Sequence, residues 1–589
     1  MGNLGKLTSF ALRALASFVI LAPTPQAYGK PVDLIFINDL HSYMEPHLDG
    51  ETGVQKGGYA KVKTIIDQMR SDAKAQGREV LALNGGDFLE GHPFYFVENG
   101  LKSFQAIDQF QFDASVMGNH DWLMNATGLN ALAESFMAVM KTPFEFLGAN
   151  FSVQSKSDQD YGALAQSLKP YKTVEKDGIR YAILGLTTPS FLYKWAAADG
   201  KSRTEISNPY KTAKAWVPEL RKNHDFVIAL THLGDDVDHK LIEKVEGIDF
   251  VVGGHTHSLF TDTRFAKNPK GLMVPYFQTE SFGGSVGRVT LDIEKGKPVT
   301  VVPGTFEQRP VDATTADEPK MAQLVSDTRK GLENQFGAAW LHEVIAVSKV
   351  ALVSGEKGNP TNLSQLFINS IKNSTDVDFA FDLGVFHGIS VPAGAITRES
   401  ILQLHPRMFE FNKTGWNIYR AKMKGAYIKA MIQAAARFNF FFTSKGLDYE
   451  LVPSKKDPKR FLAKGLNVAG KKIRTFKTYT VATSEGMIRG AIAALPIMKL
   501  ILRRAVDTKI TMWDAIEKEL RKVAVVDDKS LPWPSQAFPG GKKMPPITPL
   551  FTQVENPHVH ADEEAFEEGF AKALFEELVD AESGNPLDQ

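Results

Sequence analysis

The stretch Leu34-Ile35-Phe36-Ile37-Asn38-Asp39-Leu40-His41 predicts how the first half of the chain folds. Its first four residues are apolar, which indicates a buried strand, and Asp39 and His41 follow where that strand ends. The arrangement recurs after the apolar runs 80–83, 114–117, 226–230 and 250–252. The segments that follow those runs are Gly85-Gly86-Asp87, Gly118-Asn119-His120-Asp121, Thr231-His232 and Gly254-His255-Thr256-His257.

The polar side chains of these segments are expected to meet at one place. Apolar residues at helical spacing, Val62, Ile65, Ile66 and Met69, separate the first two runs, which is typical of a βαβ unit. In an α/β sheet, side chains that follow the carboxyl ends of neighbouring strands converge on one crevice. The sequence therefore predicts a cluster of Asp, Asn and His side chains, which is the ligand set of a two-metal hydrolase.

The chemistry of a metal pair explains these residue types. Two divalent cations roughly 3.5–4 Å apart need a bridging oxygen ligand, and they lower the pKa of bound water to about 7. Asp87 is the natural bridge, because a carboxylate can hold both ions and offsets part of their repulsion. Imidazoles and an amide oxygen fill the other positions without adding charge. Such ligands suit Zn, Mn, Co or Fe, so the predicted cofactors are two divalent metal ions of unspecified identity.

Each segment taken alone has a simpler explanation. A single Asp-x-His is common by chance, and Gly-Asn-His-Asp after a strand is compatible with a plain turn. Five such segments in order, each directly after an apolar run, are difficult to explain in that way. The series as a whole therefore indicates metal binding.

The same residues resemble the metallophosphoesterase domain of the secreted 5′-nucleotidase and UDP-sugar hydrolase family. By this resemblance Asp39, His41, Asp87 and His257 hold one metal, and Asp87, Asn119, His232 and His255 hold the other. His120 matches the family's catalytic histidine, which contacts the substrate phosphate together with Asn119. We take His120 and the neighbouring Asp121 as the predicted catalytic residues.

Composition narrows the class of protein. The chain has 589 residues, enough for two large domains, with 43% hydrophobic and 23% charged residues, as in soluble globular proteins. Its 68 basic and 68 acidic residues balance, which does not favour a nucleic acid polymer as partner. The expected partner is a small phosphate ester, and nothing indicates an oligomeric state. The absence of Cys excludes disulfides and thiolate metal ligands.

The N-terminus resembles an export signal. Lys6 and Arg13 precede a short apolar stretch over residues 14–22, and Ala27-Tyr28-Gly29 has small residues where a signal peptidase cleaves. We interpret residues 1–29 as a signal peptide; an uncleaved anchor is the alternative. No later stretch has the roughly 20 apolar residues of a membrane span. Export without disulfides favours a periplasmic or secreted location.

The predicted fold is α/β with several parts. A four-layer αββα metallophosphoesterase domain spans residues 30–310, a linking helix residues 311–340, and a second α/β substrate-recognition domain residues 341–530. Segments 391–397 and 477–483 resemble the family's C-terminal nucleotide-recognition domain. Residues 531–589 combine a Pro- and Gly-rich segment with an acidic amphipathic helix marked by Phe566, Phe570, Leu574 and Leu578. We expect that helix to pack on its own chain.

Three positions depart from the family pattern. The family's Asp that orients the catalytic His is replaced by Leu123. The family's phosphate-clamping Arg falls on Gly388, beside His387, and other arginines such as Arg407 are possible substitutes. One ring of the family's aromatic base sandwich is matched by the Phe run at Phe441, but the second is missing from residues 484–490. His387 and Phe441 are accordingly the predicted substrate contacts in the second domain.

These observations favour an exported di-metal phosphoesterase that acts on small phosphate esters, by family default nucleoside 5′-monophosphates. Two alternatives stay open. The same metal chemistry can serve a cyclic nucleotide, a sugar nucleotide or a thiosulfonate. The chain can also be a metal-containing binding protein with vestigial activity, which Leu123 and Gly388 favour and the complete ligand set opposes.

Overall fold

The structure is a computed structural model that describes residues 29–50, 52–122, 125–155, 161–189, 202–354, 360–408, 415–437, 441–455, 460–494, 498–534 and 572–578. The predicted signal peptide, apart from Gly29, lies outside the described residues. So do Leu123, Phe566, Phe570 and most of the Pro- and Gly-rich segment.

Two six-stranded sheets form the centre of the N-terminal domain. The first has the order Thr300–Val301, Ser285–Ile293, Lys30–Ile37, Glu79–Asn84, Ala114–Ser115, with Glu307–Pro310 also paired to Ser285–Ile293. The second has the order Arg264–Lys267, Met273–Phe277, Phe250–Val252, Phe226–His232, Ile179–Thr187, Tyr171–Lys176. All five predicted strands are present, and those that neighbour one another pair in parallel.

The two sheets pack face to face, with helices on both outer sides. Strand residues such as Phe36, Leu83, Ile228 and Phe277 alternate toward the layer between the sheets and are fully buried there. The first sheet is covered by the helices Tyr59–Ala75, Leu101–Phe110, Asn125–Met140 and Gly162–Ser167. The second is covered by Pro209–Arg221 and Asp235–Lys244. The four-layer αββα arrangement is therefore confirmed.

This domain also contains three two-stranded sheets among the described residues. They are His47–Leu48 with Gln55–Lys56, Phe146–Leu147 with Leu168–Lys169, and Phe151–Ser155 with Ser202–Ile206. Short 3₁₀ segments occupy Pro93–Gly100 and His120–Trp122. The second of these segments carries His120, which lies at the edge where the predicted ligands meet.

The linking helix runs over Pro319–Phe336 and is followed by the short helix Ala338–Leu341. It joins the two domains through ionic contacts as well as apolar ones. Arg329 donates from Nε to Glu45 of the first domain at 3.0 Å and from Nη1 to Glu399 of the second at 2.8 Å. Charge-assisted bonds from one guanidinium to both sides therefore hold the domains at this helix.

The second domain is built on a five-stranded sheet with the order Phe442–Lys445, Phe379–Leu383, Thr478–Ser484, Asn417–Lys424, Arg503–Thr511. Three-stranded sheets comprise Gly394–Thr397, Val344–Ser348, Val525–Val526 and Leu447–Pro453, Phe461–Val468, Lys471–Lys472. Its helices are Asn362–Ser374, Arg398–Leu404, Gly425–Arg437, Glu485–Ala494, Met498–Ile501 and Met512–Val523, with a 3₁₀ turn at Gly384–Phe386. None of the helices among the described residues has the length and apolar character needed to cross a bilayer.

The C-terminal segment returns to the second domain as a helix over residues 572–578. Leu574 and Leu578 are buried in the apolar cluster that also contains the 425–437 helix. Arg437 on that helix forms an ion pair with Glu577 at 2.6 Å. The described part of the amphipathic pattern, Leu574 and Leu578, is thus buried within the chain itself.

We expect Leu574→Ala to release this terminal helix. Removing a buried Leu side chain costs about 2–5 kcal/mol, which corresponds to at least about tenfold faster opening of the segment. Phe575→Ala on the same helix is the matched control, because Phe575 is 60% exposed. Hydrogen–deuterium exchange of the 572–578 peptide measures both variants. Equal exchange in the two variants would contradict the packing described here.

Candidate metal centre

The ends of the strands deliver the predicted ligands to one edge of the two sheets. Asp39, His41 and His257 form one group, and Asp87, His232 and His255 form another. Within each group the candidate ligand atoms lie within 4.8 Å of one another. A third group combines His120 with His41 of the first group and Asp87 of the second, so the two groups are contiguous.

Asp87 lies between the two groups. Its Oδ2 is 3.6 Å from His41 Nε2 on one side and 3.0 Å from His232 Nε2 on the other. Its Oδ1 accepts the backbone N–H of His120 at 2.8 Å. One carboxylate oxygen thus faces both groups, which is the position that a bridging ligand needs.

Hydrogen bonds to main-chain carbonyls orient two of the imidazoles. Nδ1–H of His232 donates to the Gly85 carbonyl at 2.7 Å, and Nδ1–H of His41 donates to the Glu90 carbonyl at 2.7 Å. Because Nδ1 is held by a carbonyl in each ring, Nε2 is the nitrogen that faces the cation position and can bind a cation once it carries no proton. Asn119 Oδ1 is buried and has no hydrogen-bond partner among the described residues, and His232 Nε2 is buried beside the Asp87 carboxylate at 3.0 Å. An unsatisfied amide oxygen next to buried carboxylates and imidazoles fits divalent cations.

The electrostatic environment keeps most of these ligands in the form that binds metal. Burial lowers the pKa of His41 to about 3 and that of His255 to about 4, so both imidazoles stay neutral. For His232 burial also disfavours the charged form, but Asp87 and Asp39 outweigh it and raise its pKa to about 10. Protonation and metal binding compete for the same Nε2, so cation binding at His232 should release a proton.

The backbone at the site is strained. Five of the predicted ligands have a left-handed φ: Asp39 (52°), His41 (47°), Asp87 (53°), His255 (81°) and His257 (55°). This conformation costs a non-glycine residue about 1–2 kcal/mol. Such strain persists only where the surroundings hold it, and it clusters at functional sites.

Glycines allow the two sheets to approach at this edge. A Cβ on Gly85 would lie 2.5 Å from the Gly253 carbonyl oxygen, and one on Gly254 would lie 2.6 Å from the Gly85 carbonyl oxygen. No side chain can be placed at those distances without moving the main chain. The glycines between strand and ligand are therefore required for the two ligand groups to meet.

His120 has partners that sequence reasoning missed. Its Nδ1–H donates to Glu90 Oε2 in a very short hydrogen bond. Arg407 of the second domain donates from Nη1 to the same oxygen at 3.0 Å, and this Nη1 lies 3.1 Å from His120 Nδ1. Nothing in the sequence distinguishes Glu90, which comes three residues after Asp87. Arg407 was one of several candidate arginines that only the fold could place.

Asp121 has a different environment from His120. Its carboxylate accepts the backbone N–H groups of Asp87 at 3.1 Å, Phe88 at 3.0 Å, Leu89 at 2.9 Å and Gly118 at 2.8 Å. Burial, followed by the nearby Asp87, raises its pKa to about 8. These bonds tie the loop after Glu79–Asn84 to the loop that carries Asn119. A direct catalytic part for Asp121 stays a prediction.

The two predicted contacts in the second domain are buried. The His387 ring lies against Phe367, with ring centroids 4.2 Å apart and planes tilted by 39°, and the His387 carbonyl accepts from Arg407 Nη2 at 3.3 Å. Phe441 is 4% exposed and meets Phe461 edge-on at 5.7 Å. The structure thus brings His387 near the centre through Arg407, and it places the Phe441 ring in an aromatic contact within its own domain.

Comparison with known proteins identifies the class. Residues 33–259 match the family of calcineurin-like phosphoesterases, and residues 344–497 match the 5′-nucleotidase C-terminal domain. The chain belongs to the family that combines these two domains, the 5′-nucleotidase family, and it is a metal-dependent phosphoester hydrolase.

Individual relatives are distant. The chain is 26% identical over 505 residues to the trifunctional nucleotide phosphoesterase protein YfkN of Bacillus subtilis, covering 79% of this chain but only 32% of YfkN. It is 25% identical over 524 residues to silent protein UshA(0) of Salmonella typhimurium, covering 80% of this chain and 88% of that protein. The fold is similar to that of a 5′-nucleotidase precursor from Thermus thermophilus, with a TM-score of 0.71, 22% identity, and 84% and 97% of the two chains covered.

We expect Asp87→Ala to lose both metals, because its Oδ2 faces both ligand groups. Asp33→Ala is the matched control, since Asp33 is an equally buried carboxylate on the Lys30–Ile37 strand that pairs with Arg78 instead. Metal per chain after loading and dialysis, measured by inductively coupled plasma mass spectrometry, should approach zero for the first and stay near two for the second. Full metal content in Asp87→Ala protein would refute the assignment.

Proposed function

We propose that this protein is an exported phosphatase that hydrolyses small phosphate monoesters, including nucleoside 5′-monophosphates, with little dependence on the nucleoside. The convergence of Asp39, His41, Asp87, Asn119, His232, His255 and His257 around His120 carries the proposal. Export is supported by the basic start and apolar stretch of residues 1–29, and it places the enzyme in the periplasm or outside the cell.

The proposed roles follow from the geometry. Two divalent cations, when bound, would offset the charge that develops on the phosphoryl oxygens and supply hydroxide at neutral pH. One ion would be held by Asp39, His41, His257 and Asp87. The other would be held by Asp87, Asn119, His232 and His255. With Nδ1 engaged by Glu90, His120 presents Nε2 to the phosphate. His120 acts as an imidazolium with a proton on each ring nitrogen: as the P–O bond to the leaving group breaks, Nε2–H gives its proton to the departing oxygen, while Nδ1–H stays bonded to Glu90.

The structure of the second domain supports a small contribution of the nucleobase to substrate binding. Where the family pattern has a Gly-rich aromatic loop, this chain forms the helix Glu485–Ala494. Gly486 there is packed so tightly on Trp416 that an added Cβ would lie 2.1 Å from the indole ring. In the matched run of three Phe residues, Phe441 is buried against Phe461, and Phe440 lies outside the described residues. These positions leave little for a nucleobase to stack on.

We expect His120→Ala to retain two metals but lose about 10²–10⁴-fold in turnover of an alkyl phosphate, the usual contribution of a general acid. His224→Ala is the matched control, because His224 bonds Thr173 and the Leu220 carbonyl away from the site. Steady-state kinetics and metal analysis on the same preparations measure both. A loss of bound metal parallel to the loss of rate would instead make His120 a ligand.

The proposed substrate range is tested by comparing AMP with ribose 5-phosphate, which has the same type of leaving alkoxide and no base. Stacking on an aromatic pair is worth about 0.5–1.5 kcal/mol, and a charged hydrogen bond about 1.5–3 kcal/mol. Without the stacking pair we expect catalytic efficiencies on the two within about tenfold, with Mn²⁺ or Zn²⁺ added. A preference for AMP above about a thousandfold would mean that other residues rebuild a nucleoside pocket.

The same assay addresses the alternatives. Two bound metals without hydrolysis of AMP, ribose 5-phosphate or an aryl phosphate would contradict the phosphatase proposal. Thiosulfonate or cyclic-nucleotide hydrolysis would then identify another substrate on the same centre. No turnover of any of these would favour the metal-containing binding protein.

A further inference from the structure

The catalytic histidine of this chain is oriented in an unexpected way. The resemblance places its orienting carboxylate three residues later, at a position that is Leu123 here. In the structure Glu90 provides a carboxylate instead, from the loop after the Glu79–Asn84 strand. Its side chain is 1% exposed, against 15% for that of His120. A buried carboxylate on Nδ1 keeps that nitrogen protonated and fixes the angle of the ring.

Glu90 is itself held by the second domain. Arg407 Nη1 donates to Glu90 Oε2 at 3.0 Å, and the guanidinium is anchored by donating from Nε to the Phe386 carbonyl at 3.1 Å. The preceding residue, Pro406, accepts from the hydroxyl of Tyr95 in the first domain at 3.1 Å. The segment around Arg407 is therefore tied to both domains.

Gly388 explains why Arg407 reaches this place. A Cβ at residue 388 would lie 1.9 Å from the Gln403 carbonyl oxygen and 2.8 Å from Pro406 Cδ. The Gly388 N–H also donates to the Leu404 carbonyl at 2.7 Å. The family's Arg position is thus occupied by the main chain of the segment that carries Arg407. A side chain at residue 388 is therefore incompatible with the present course of the segment that carries Arg407.

We propose that Glu90 is the positioning residue for His120, and that Arg407 of the second domain holds Glu90 in that role. This proposal rests on the phosphatase function proposed above. Glu90 Oε1 is buried and has no hydrogen-bond partner among the described residues, so Oε2 makes the contacts that hold the carboxylate. Orientation of the catalytic imidazole is consequently shared between the two domains.

The role predicts a specific kinetic signature. His120 assists departure of the leaving oxygen, and a poor leaving group such as an alkoxide needs that help far more than a nitrophenolate does. Loss of positioning should therefore slow hydrolysis of ribose 5-phosphate by about 10–100-fold, the usual effect of losing an orienting partner. Hydrolysis of 4-nitrophenyl phosphate should fall by less than about threefold, because the remaining machinery still acts on the phosphoryl group.

The experiment measures both substrates with Glu90→Gln, Glu90→Ala and Arg407→Ala in the full-length, metal-loaded enzyme. Glu519→Gln is the control for Glu90, because Glu519 is a buried carboxylate that accepts from Asn373 in the second domain. Arg398→Ala is the control for Arg407, since their side chains are 13% and 12% exposed and Arg398 pairs with Glu517 within its own domain. Both controls should leave the ratio of the two rates unchanged.

Structure and metal content complete the test. Crystals of Glu90→Ala protein should show the His120 ring turned from its original orientation, with two metals still bound. Equal slowing of both substrates, or loss of metal in the Glu90 variants, would overturn the positioning role. Unchanged kinetics in Arg407→Ala alongside impaired Glu90 variants would overturn the part assigned to Arg407. An inactive parent enzyme would refute the proposed function itself, a result separate from these.

Discussion

The hydrogen bond from His232 Nδ1 to the Gly85 carbonyl, 2.7 Å long, is the contact on which the centre depends. It joins a strand end of the second sheet to a strand end of the first. It also keeps Nδ1 protonated, so that Nε2 is the nitrogen that faces Asp87. Only glycines at 85 and 254 let the main chains come this close, since a Cβ at either position would lie within 2.6 Å of a carbonyl oxygen. The ligand groups meet because these strand ends do.

Burial of the carboxylates explains why this part of the protein is suited to binding cations. Asp39 and Asp87 are fully enclosed, and burying charge without compensation is unfavourable. Asp39 Oδ2 accepts from Asn38 Nδ2 at 2.7 Å and from the His255 N–H at 2.9 Å, and Asp87 is tied to the His120 N–H. These bonds satisfy part of the charge. Two divalent cations would satisfy the rest of the charge, and one of them would replace the proton on His232.

The second domain contributes a side chain beside the predicted catalytic histidine. Close packing leaves no room for a side chain at Gly388, and Arg407 lies on Glu90 beside His120. Residues 485–494 form a helix and Phe441 is buried, so neither presents an open ring to a nucleobase. In the proposed reaction the domain therefore acts on the leaving-group side through His120, with little contribution from recognition of a nucleoside. This arrangement of the two domains fits small phosphate esters as substrates.

The order of strands and polar segments was readable from the chain, because buried strands need continuous apolar runs and ligands follow directly at their ends. That reasoning located Asp39, Asp87, His232 and the helix at residues 572–578. It missed Glu90 and could not place Arg407, and it had no means to show that Phe441 is enclosed. Glu90 and Arg407 are 317 residues apart, and contacts over such separations arise only when the domains pack. The sequence alone determined which residues gather at the candidate metal centre. The tertiary structure decided which residues contact the predicted catalytic histidine, because such contacts depend on distances that no local pattern encodes.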